Sequence, residues 1–248
     1  MNSRDLATQS PWQKMLGIEL SPVSHRERLV SALGGLVSVI IVYALSRSLL
    51  GADAPILVLS IASSAVLLFA VPHGPLSQPW PVFGGHLVSA VIGVACARLV
   101  PDAMLAAGLA TGLAIGAMHY LRCIHPPAAA TALAAVLGSE QLRALGFGFV
   151  LTPVLLNVLI ILAVAVTFNA AFPWRRYPVY LARRTAVATP AAAGYEAISH
   201  EDFVFALAQM DSFIDVSEDD LLRIYSLATG RHREVEAQAA AINPVAPP

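Results

Sequence analysis

The amino-acid sequence predicts an all-α, polytopic transmembrane helix bundle. It has about six membrane segments, one of them a short or half helix, followed by a small cytoplasmic helical hairpin. Three observations carry that prediction. The 248 residues are 57% apolar and 12% charged, with mean hydropathy +0.69, whereas an average soluble domain carries about 25% charged residues. Between residues 29 and 172 there are only three acids (Asp53, Asp102, Glu140) and four bases (Arg47, Arg98, Arg122, Arg143), and all other charges lie in the flanks. The same stretch divides into apolar runs separated by short breaks bearing proline or glycine.

Residues 1–28 form a polar lead-in with an interfacial segment, Trp12 suiting headgroup level. They contain no apolar core of a cleavable signal peptide, so the first span is expected to double as the insertion signal. Ser24 with Glu27 three positions on reads as a capping box that starts the first membrane helix, over 29–50. Gly51 to Pro55 makes a turn, and Pro55 opens the second helix, over 56–71. A proline-rich loop over 71–81 leads to a third helix over 85–100, which Pro101-Asp102 breaks, and the fourth runs over 103–121. The apolar piece 128–137 is too short to cross alone at about 1.5 Å per residue. A polar link over 138–143 precedes the last span, over 145–172.

Residues 173–194 are a basic linker. Ser199 with Asp202, then Phe203, Ala206, Leu207 and Met210, reads as one capped amphipathic helix; Ser217 with Asp220, then Leu221, Ile224, Tyr225 and Ala228, reads as a second. Together they make an acidic cytoplasmic hairpin over 195–233, ahead of a disordered Ala- and Pro-rich tail over 234–248.

Arg26 and Arg28 before the first span, and Arg175, Arg176, Arg183 and Arg184 after the last, are the two largest basic clusters. Counted as cytoplasmic, they put both termini inside and require the short piece to cross, giving six crossings of a bacterial inner membrane. Arg122 then falls inside, with Arg47, Arg98 and Arg143 near the outer face. Gly108, Gly112 and Gly116 on the fourth helix, and Ser89, Gly93 and Ala97 on the third, form small-residue faces at four-residue spacing that let helices approach closely. The first set, or the hairpin, would be the surface for self-association.

The most informative stretch is Arg122-Cys123-Ile124-His125-Pro126-Pro127-Ala128-Ala129-Ala130-Thr131, a proline-locked break between apolar runs. Irregular backbone at membrane depth is tolerated only where protein or a water-filled cavity satisfies it. Proline suits the first helical turn, and the amides of Ala128, Ala129, Ala130 and Thr131 would then point forward without intrahelical partners, open and at the positive end of a helix dipole. Half-helix N-termini facing a cavity are a recurring way to hold anionic substrates. Thr131 would add a hydroxyl donor, and Arg122 with His119 and His125 would attract anions to the mouth. The loop from His73 and Pro75 through Gln78 to Phe83-Gly84-Gly85-His86 echoes this break and also opens a small-residue helix. On the six-crossing topology both helix N-termini face one side.

Other chemistries are weaker. The net charge of -1 and the lack of a basic stripe exclude a nucleic-acid partner. Cys96 and Cys123 give no disulfide framework and read as buried structural thiols. His73, His86, His119 and His125 match no metal signature, so no cofactor and no metal are assigned, though a haem or metal-bearing redox protein with ligands from His119, Cys123 and His125 stays open. A membrane sensor or scaffold signalling through the hairpin is the other alternative, and Asn157 within the last span is expected to bond another helix. No catalytic residue is assigned.

The motif His125-Pro126-Pro127-Ala128-Ala129-Ala130-Thr131-Ala132-Leu133, together with Pro75-Leu76-Ser77-Gln78-Pro79 and Gly84-Gly85-His86, resembles the HPP family of integral membrane proteins over about residues 15 to 172. The tail also resembles those of bacterial members. This chain has Ala129 where the family usually has glycine, and Trp80-Pro81 where it tends to have a basic-polar pair. Plant chloroplast and cyanobacterial relatives are associated with nitrite transport. The resemblance therefore implies a non-enzymatic permease for a small anion, nitrite above others. The binding residues would be His125, Pro126, Pro127, Ala128, Ala129, Ala130, Thr131, Gly84, Gly85, His86, Gln78 and Arg122.

Overall fold

The computed structural model describes residues 23–183, with Trp12, Met15, Leu16, Leu221, Ile224 and Tyr225 beyond them. The hairpin, the tail and nearly all of the lead-in expected from the sequence lie outside the described residues. Within them, every regular element is helical.

Helix α1 spans His25–Leu50 and starts where the cap was expected, with Ser24 Oγ accepting from the Glu27 amide at 3.1 Å. The Glu27 carboxylate does not close a capping box. It pairs instead with Arg175 and accepts from Trp174 Nε1 at 2.8 Å. A 3-10 turn, Gly51–Asp53, leads to α2 over Ala54–Ala70, and a second one, Pro75–Ser77, leads to α3 over Pro79–Leu99. Helix α3 thus begins six residues before the predicted 85. Pro79 and Pro81 read as loop in the sequence, yet a first helical turn has amides that need no intrahelical acceptor, so proline fits there. Helix α4 covers Ala103–Tyr120, capped by Asp102 accepting from the Leu105 amide at 2.8 Å. Helix α5, Ala128–Leu137, is ten residues long, roughly 15 Å at 1.5 Å per residue.

The last predicted span is not one continuous helix. Ser139 caps a short α6, Glu140–Ala144, and turns follow, with Gly146 in the left-handed region at φ 53. A kinked segment, Val150–Leu155, then leads into α7, Leu156–Ala170. The kink sits where Thr152 is extended (φ -132, ψ 111) ahead of Pro153, because the residue before a proline is pushed away from helical geometry.

Cross-contacts give the directions. Ser46 Oγ donates to Asn157 Oδ1 at 3.1 Å while Arg175 meets Glu27, so α1 and α7 are antiparallel; Asn157 does bond another helix. Ser60 meets Thr131 and Ser64 meets His125, so α2 and α5 are antiparallel. Trp80 Nε1 donates to Leu121 O at 3.1 Å, which sets α3 against the end of α4. Gly85 lies against His125 and Gly93 against Ala132, so α3 and α5 run parallel with their starts at one end. Successive segments therefore alternate in direction, and the short α5 takes one leg. The end holding residues 24–28, 71–79, 121–127 and 171–178 carries Arg26, Arg28, Arg122, Arg175 and Arg176.

The bundle has an apolar interior, with Leu57, Ile61, Leu68, Phe69, Phe149 and Ile161 buried, but unlike a soluble fold it also shows apolar stripes on its outside. Helix α1 buries Gly34, Ser38, Val42 and Ser46, while Leu29, Leu33, Leu36 and Ile40 are exposed. Helix α4 buries Ala106, Ala110, Ala114 and Met118 and exposes Leu105, Leu109 and Leu113. Such stripes fit lipid, where close packing of small residues rather than apolar burial joins helices. A Cβ on Gly108, Gly112 or Gly116 would meet nothing within 4 Å, so those glycines pack against nothing within the described chain, and α4 approaches its neighbours on its alanines instead.

Arg175 ties one end together. Its guanidinium pairs with Glu27, donates to Phe69 O, and reaches Ser31 Oγ and Asn169 Oδ1 at 3.1 Å each. Burial lowers its pKa and the Glu27 charge raises it again, and an arginine stays charged. Burial raises the pKa of Tyr177, whose hydroxyl donates to Ser77 O at 2.8 Å.

Candidate functional site

The break between α4 and α5 is built from backbone geometry first. Arg122 stands at φ 53, with its amide on His119 O at 3.1 Å and the Cys123 amide on Met118 O at 2.9 Å. This is the paired terminating motif of a helix, with arginine in the left-handed position usually given to glycine. The exposed Arg122 ends α4, and its side chain is not brought to the buried residues.

Three of the four amides expected to be open, those of Ala128, Ala129 and Ala130, are not. The Ala128, Ala129 and Ala130 amides donate to His125 O (2.9 Å), Pro126 O (3.2 Å) and Pro127 O (3.1 Å). The prolines fold the break into tight i to i+3 turns, and these satisfy locally what an ideal helix start would leave free. Pro126 is exposed, Pro127 and Ala128 are buried, and Ala129 and Ala130 are half-buried.

What the break does create is a side-chain centre. His86, His125, Thr131, Ser60 and Ser64 are all fully buried. Ser64 Oγ lies 2.9 Å from Nε2 of both histidines, and the two rings are 5.2 Å apart between centroids. His86 Nδ1 reaches Thr131 Oγ1 at 2.7 Å, and Thr131 Oγ1 reaches Ser60 Oγ at 2.7 Å. Ser60 Oγ is also 3.0 Å from Pro127 O, and His125 Nδ1 donates to Leu76 O at 2.9 Å. The two breaks thus meet as the sequence echo suggested, at His86 and His125. His73 does not join them; it lies 3.2 Å from Arg176 O.

Gly84 and Gly85 pack rather than offer amides. A Cβ on Gly85 would lie 2.9 Å from His125 Cβ and 3.0 Å from Cys123 O, and one on Gly84 would lie 3.0 Å from Cys123 Cβ. These glycines let the broken segment lie flush on α3, within its second turn. The Gln78 amide is spent on structure, with Nε2 donating to Pro72 O and Gly74 O at 3.1 and 3.0 Å and Oε1 accepting from the Val179 amide at 3.1 Å. At the Trp80-Pro81 position the indole closes α3 onto α4. His119 is exposed and His125 buried, so the set with Cys123 does not assemble. Among the described residues no three such side chains gather as metal ligands.

Sequence reasoning missed Ser60 and Ser64. The available signal was Ser60 and Ser64, one helical turn apart among the three serines of an otherwise apolar helix, which puts their two hydroxyls on one face.

Beyond the centre, the α3–α5 seam continues through Ser89, whose buried hydroxyl has no partner among the described residues, to Gly93. There a Cβ would lie 2.6 Å from Ala132 O and 2.8 Å from Ala132 Cα. At the far end of the seam a cavity of about 40 Å³ is lined by Val94, Ala97, Arg98, Ala135, Arg143 and Gly146, among others.

A bundle with lipid-exposed leucine stripes and buried ionisable side chains at a broken helix defines a multi-pass membrane protein with a polar centre. The family described as HPP, transmembrane region, matches residues 20–178, and the chain belongs to it. It is 40% identical over 156 residues to a Dictyostelium discoideum protein named only as a transmembrane protein, covering 61% of this chain and 53% of that one. A second protein of that organism, named in the same way, is 42% identical over 125 residues, covering 49% of this chain and 40% of the other. The chain thus spans about half or less of the length of these curated relatives. No solved structure matches it.

Proposed function

We propose that this protein is a permease for a small inorganic anion, nitrite above others, and that the solute passes along the α3–α5 seam. The observation that carries this reading is the fully buried His125–Ser64–His86–Thr131 centre at the start of a half-length helix. Ionisable groups within a membrane bundle are expensive and mark solute or proton pathways. Broken helices at that depth belong beside a cavity or path. Further support comes from the line of the seam, with hydroxyl and imidazole donors at one end, the unpartnered Ser89 hydroxyl beyond them, and Arg98 and Arg143 around the far cavity. The Gly93–Ala132 contact closes that line in this conformation, so transport requires α5 to part from α3. Placing the arginine-rich end on the cytoplasmic side of a bacterial plasma membrane puts both ends of the bundle inside.

The test is uptake into proteoliposomes across a panel of nitrite, nitrate, formate and chloride. Nitrite is expected to enter faster than into empty vesicles and faster than the others. Equal rates with and without protein for every anion would end the permease reading.

A further inference from the structure

The hydrogen-bond chain at the centre has an odd proton count. It runs from one carbonyl to another: Leu76 O, His125, Ser64, His86, Thr131, Ser60, Pro127 O, which is five side chains and six contacts of 2.7–3.0 Å. Both terminal groups only accept. With neutral imidazoles, the five side chains bring five protons, so one contact must lack a proton. Ser60 donates to Pro127 O, which has a second lone pair beside the one taken by the Ala130 amide, and His125 Nδ1 donates to Leu76 O. The missing proton then falls on one of the four contacts between them: Ser60–Thr131, Thr131–His86, His86–Ser64 or Ser64–His125. The alternative acceptor for Ser64, Ser60 O, is longer at 3.3 Å and already takes the Ser63 hydroxyl at 2.7 Å.

We propose that this chain is a binding site for a single proton, which it relays between His86 and His125 through the Ser64 hydroxyl. One added proton fills the sixth contact. On His86 it leaves both ring nitrogens protonated, with Thr131 donating to Ser60. On His125 it sits at Nε2, and Ser64 then donates to His86 Nε2. The two forms differ by movement of protons along existing contacts, with no bond between heavy atoms made or broken. A second proton has no contact to fill and meets a like charge in an adjoining ring, so the site takes one. Of the elements packed around the pair, α2, α5 and α7 carry no ionisable side chain. Helix α3 adds only Cys96 and Arg98, α4 adds His119 and Tyr120 at its end, the break adds Arg122 and Cys123, and the loop before α3 adds His73. None of these elements carries a carboxylate that could hold the charge. Resting on the reading above, a monovalent anion is the group that would do so, and anion and proton would then enter the centre as a neutral pair.

The test is nitrogen NMR of the full chain in lipid nanodiscs with labelled histidine, assigned through His86→Gln and His125→Gln. At mildly alkaline pH, His125 is expected as the Nδ1–H tautomer, donating to Leu76 O. On acidification the two together should take up one proton, with both signals moving at a common midpoint. An Nε2–H tautomer for His125, two independent titrations, or no protonation of either ring down to the acid limit of the fold would overturn the proposal. Added nitrite should raise the midpoint. No response to nitrite would count against the anion reading and leave the proton assignment standing.

Discussion

Ser64→Ala is expected to cut anion flux by about ten-fold or more while the protein still folds. Among the described residues Ser64 is the one side chain hydrogen-bonded to both histidines, at 2.9 Å each, and alanine leaves two buried ring nitrogens without that partner. Such a loss costs about 1–3 kcal/mol per group, and about 1.4 kcal/mol is a factor of ten in an equilibrium. The fold itself is held elsewhere, by Arg175 joining α1, α2 and α7 and by the α3–α5 seam, so the thermal midpoint in detergent should fall modestly. Ser64→Thr keeps a hydroxyl at the same carbon and should recover part of the rate. Proteoliposome uptake by the three proteins, reconstituted at equal density, checks this; wild-type flux in Ser64→Ala would remove the bridge from the transport path.

The second large effect is expected from Gly93→Leu. At this position even a methyl group would stand 2.6 Å from Ala132 O and 2.8 Å from Ala132 Cα, and backbone cannot step aside as a side chain can. Overpacking a tight contact costs about 1–3 kcal/mol, and here the only relief is to separate α3 from α5 along the seam. A clear drop in thermal stability is therefore expected, larger than for Gly112→Leu. Gly112 has open space around it within the chain, so a leucine there adds to a face already exposed. Thermal unfolding of both variants in the same detergent decides the matter, and equal midpoints would contradict the packing described for the seam.

Much of the architecture was legible because a bilayer imposes length and polarity on every segment. The segments of α1, α4 and α5, and the cap on Ser24, follow from apolar runs and from one serine placed ahead of a glutamate. The start of α3 was missed because Pro79 and Pro81 look like loop, although a first helical turn accepts them. The four-residue glycine pattern on α4 was real, but periodicity alone does not say which face turns inward, and Ala106, Ala110 and Ala114 took that role. At the centre, His86, His125 and Thr131 were reachable from the two breaks. The amides of Ala128, Ala129 and Ala130 are not free, because the turns at Pro126 and Pro127 satisfy them. Ser60 and Ser64 escaped notice because a serine in an apolar helix reads first as packing, and only the fold reveals that α2 passes both breaks.

The most direct test of the central claim, that solute passes along the α3–α5 seam, uses Ser89→Cys in a chain whose Cys96 and Cys123 are replaced by alanine. Ser89 is buried and its hydroxyl has no partner among the described residues, so a cysteine there reports whether the seam opens. During nitrite uptake by proteoliposomes, a small thiol-specific reagent is expected to label this cysteine and block flux, and saturating nitrite is expected to slow the labelling. A labelled protein that still transports at the unlabelled rate, or flux that proceeds while the cysteine stays unreactive, would contradict the seam as the path.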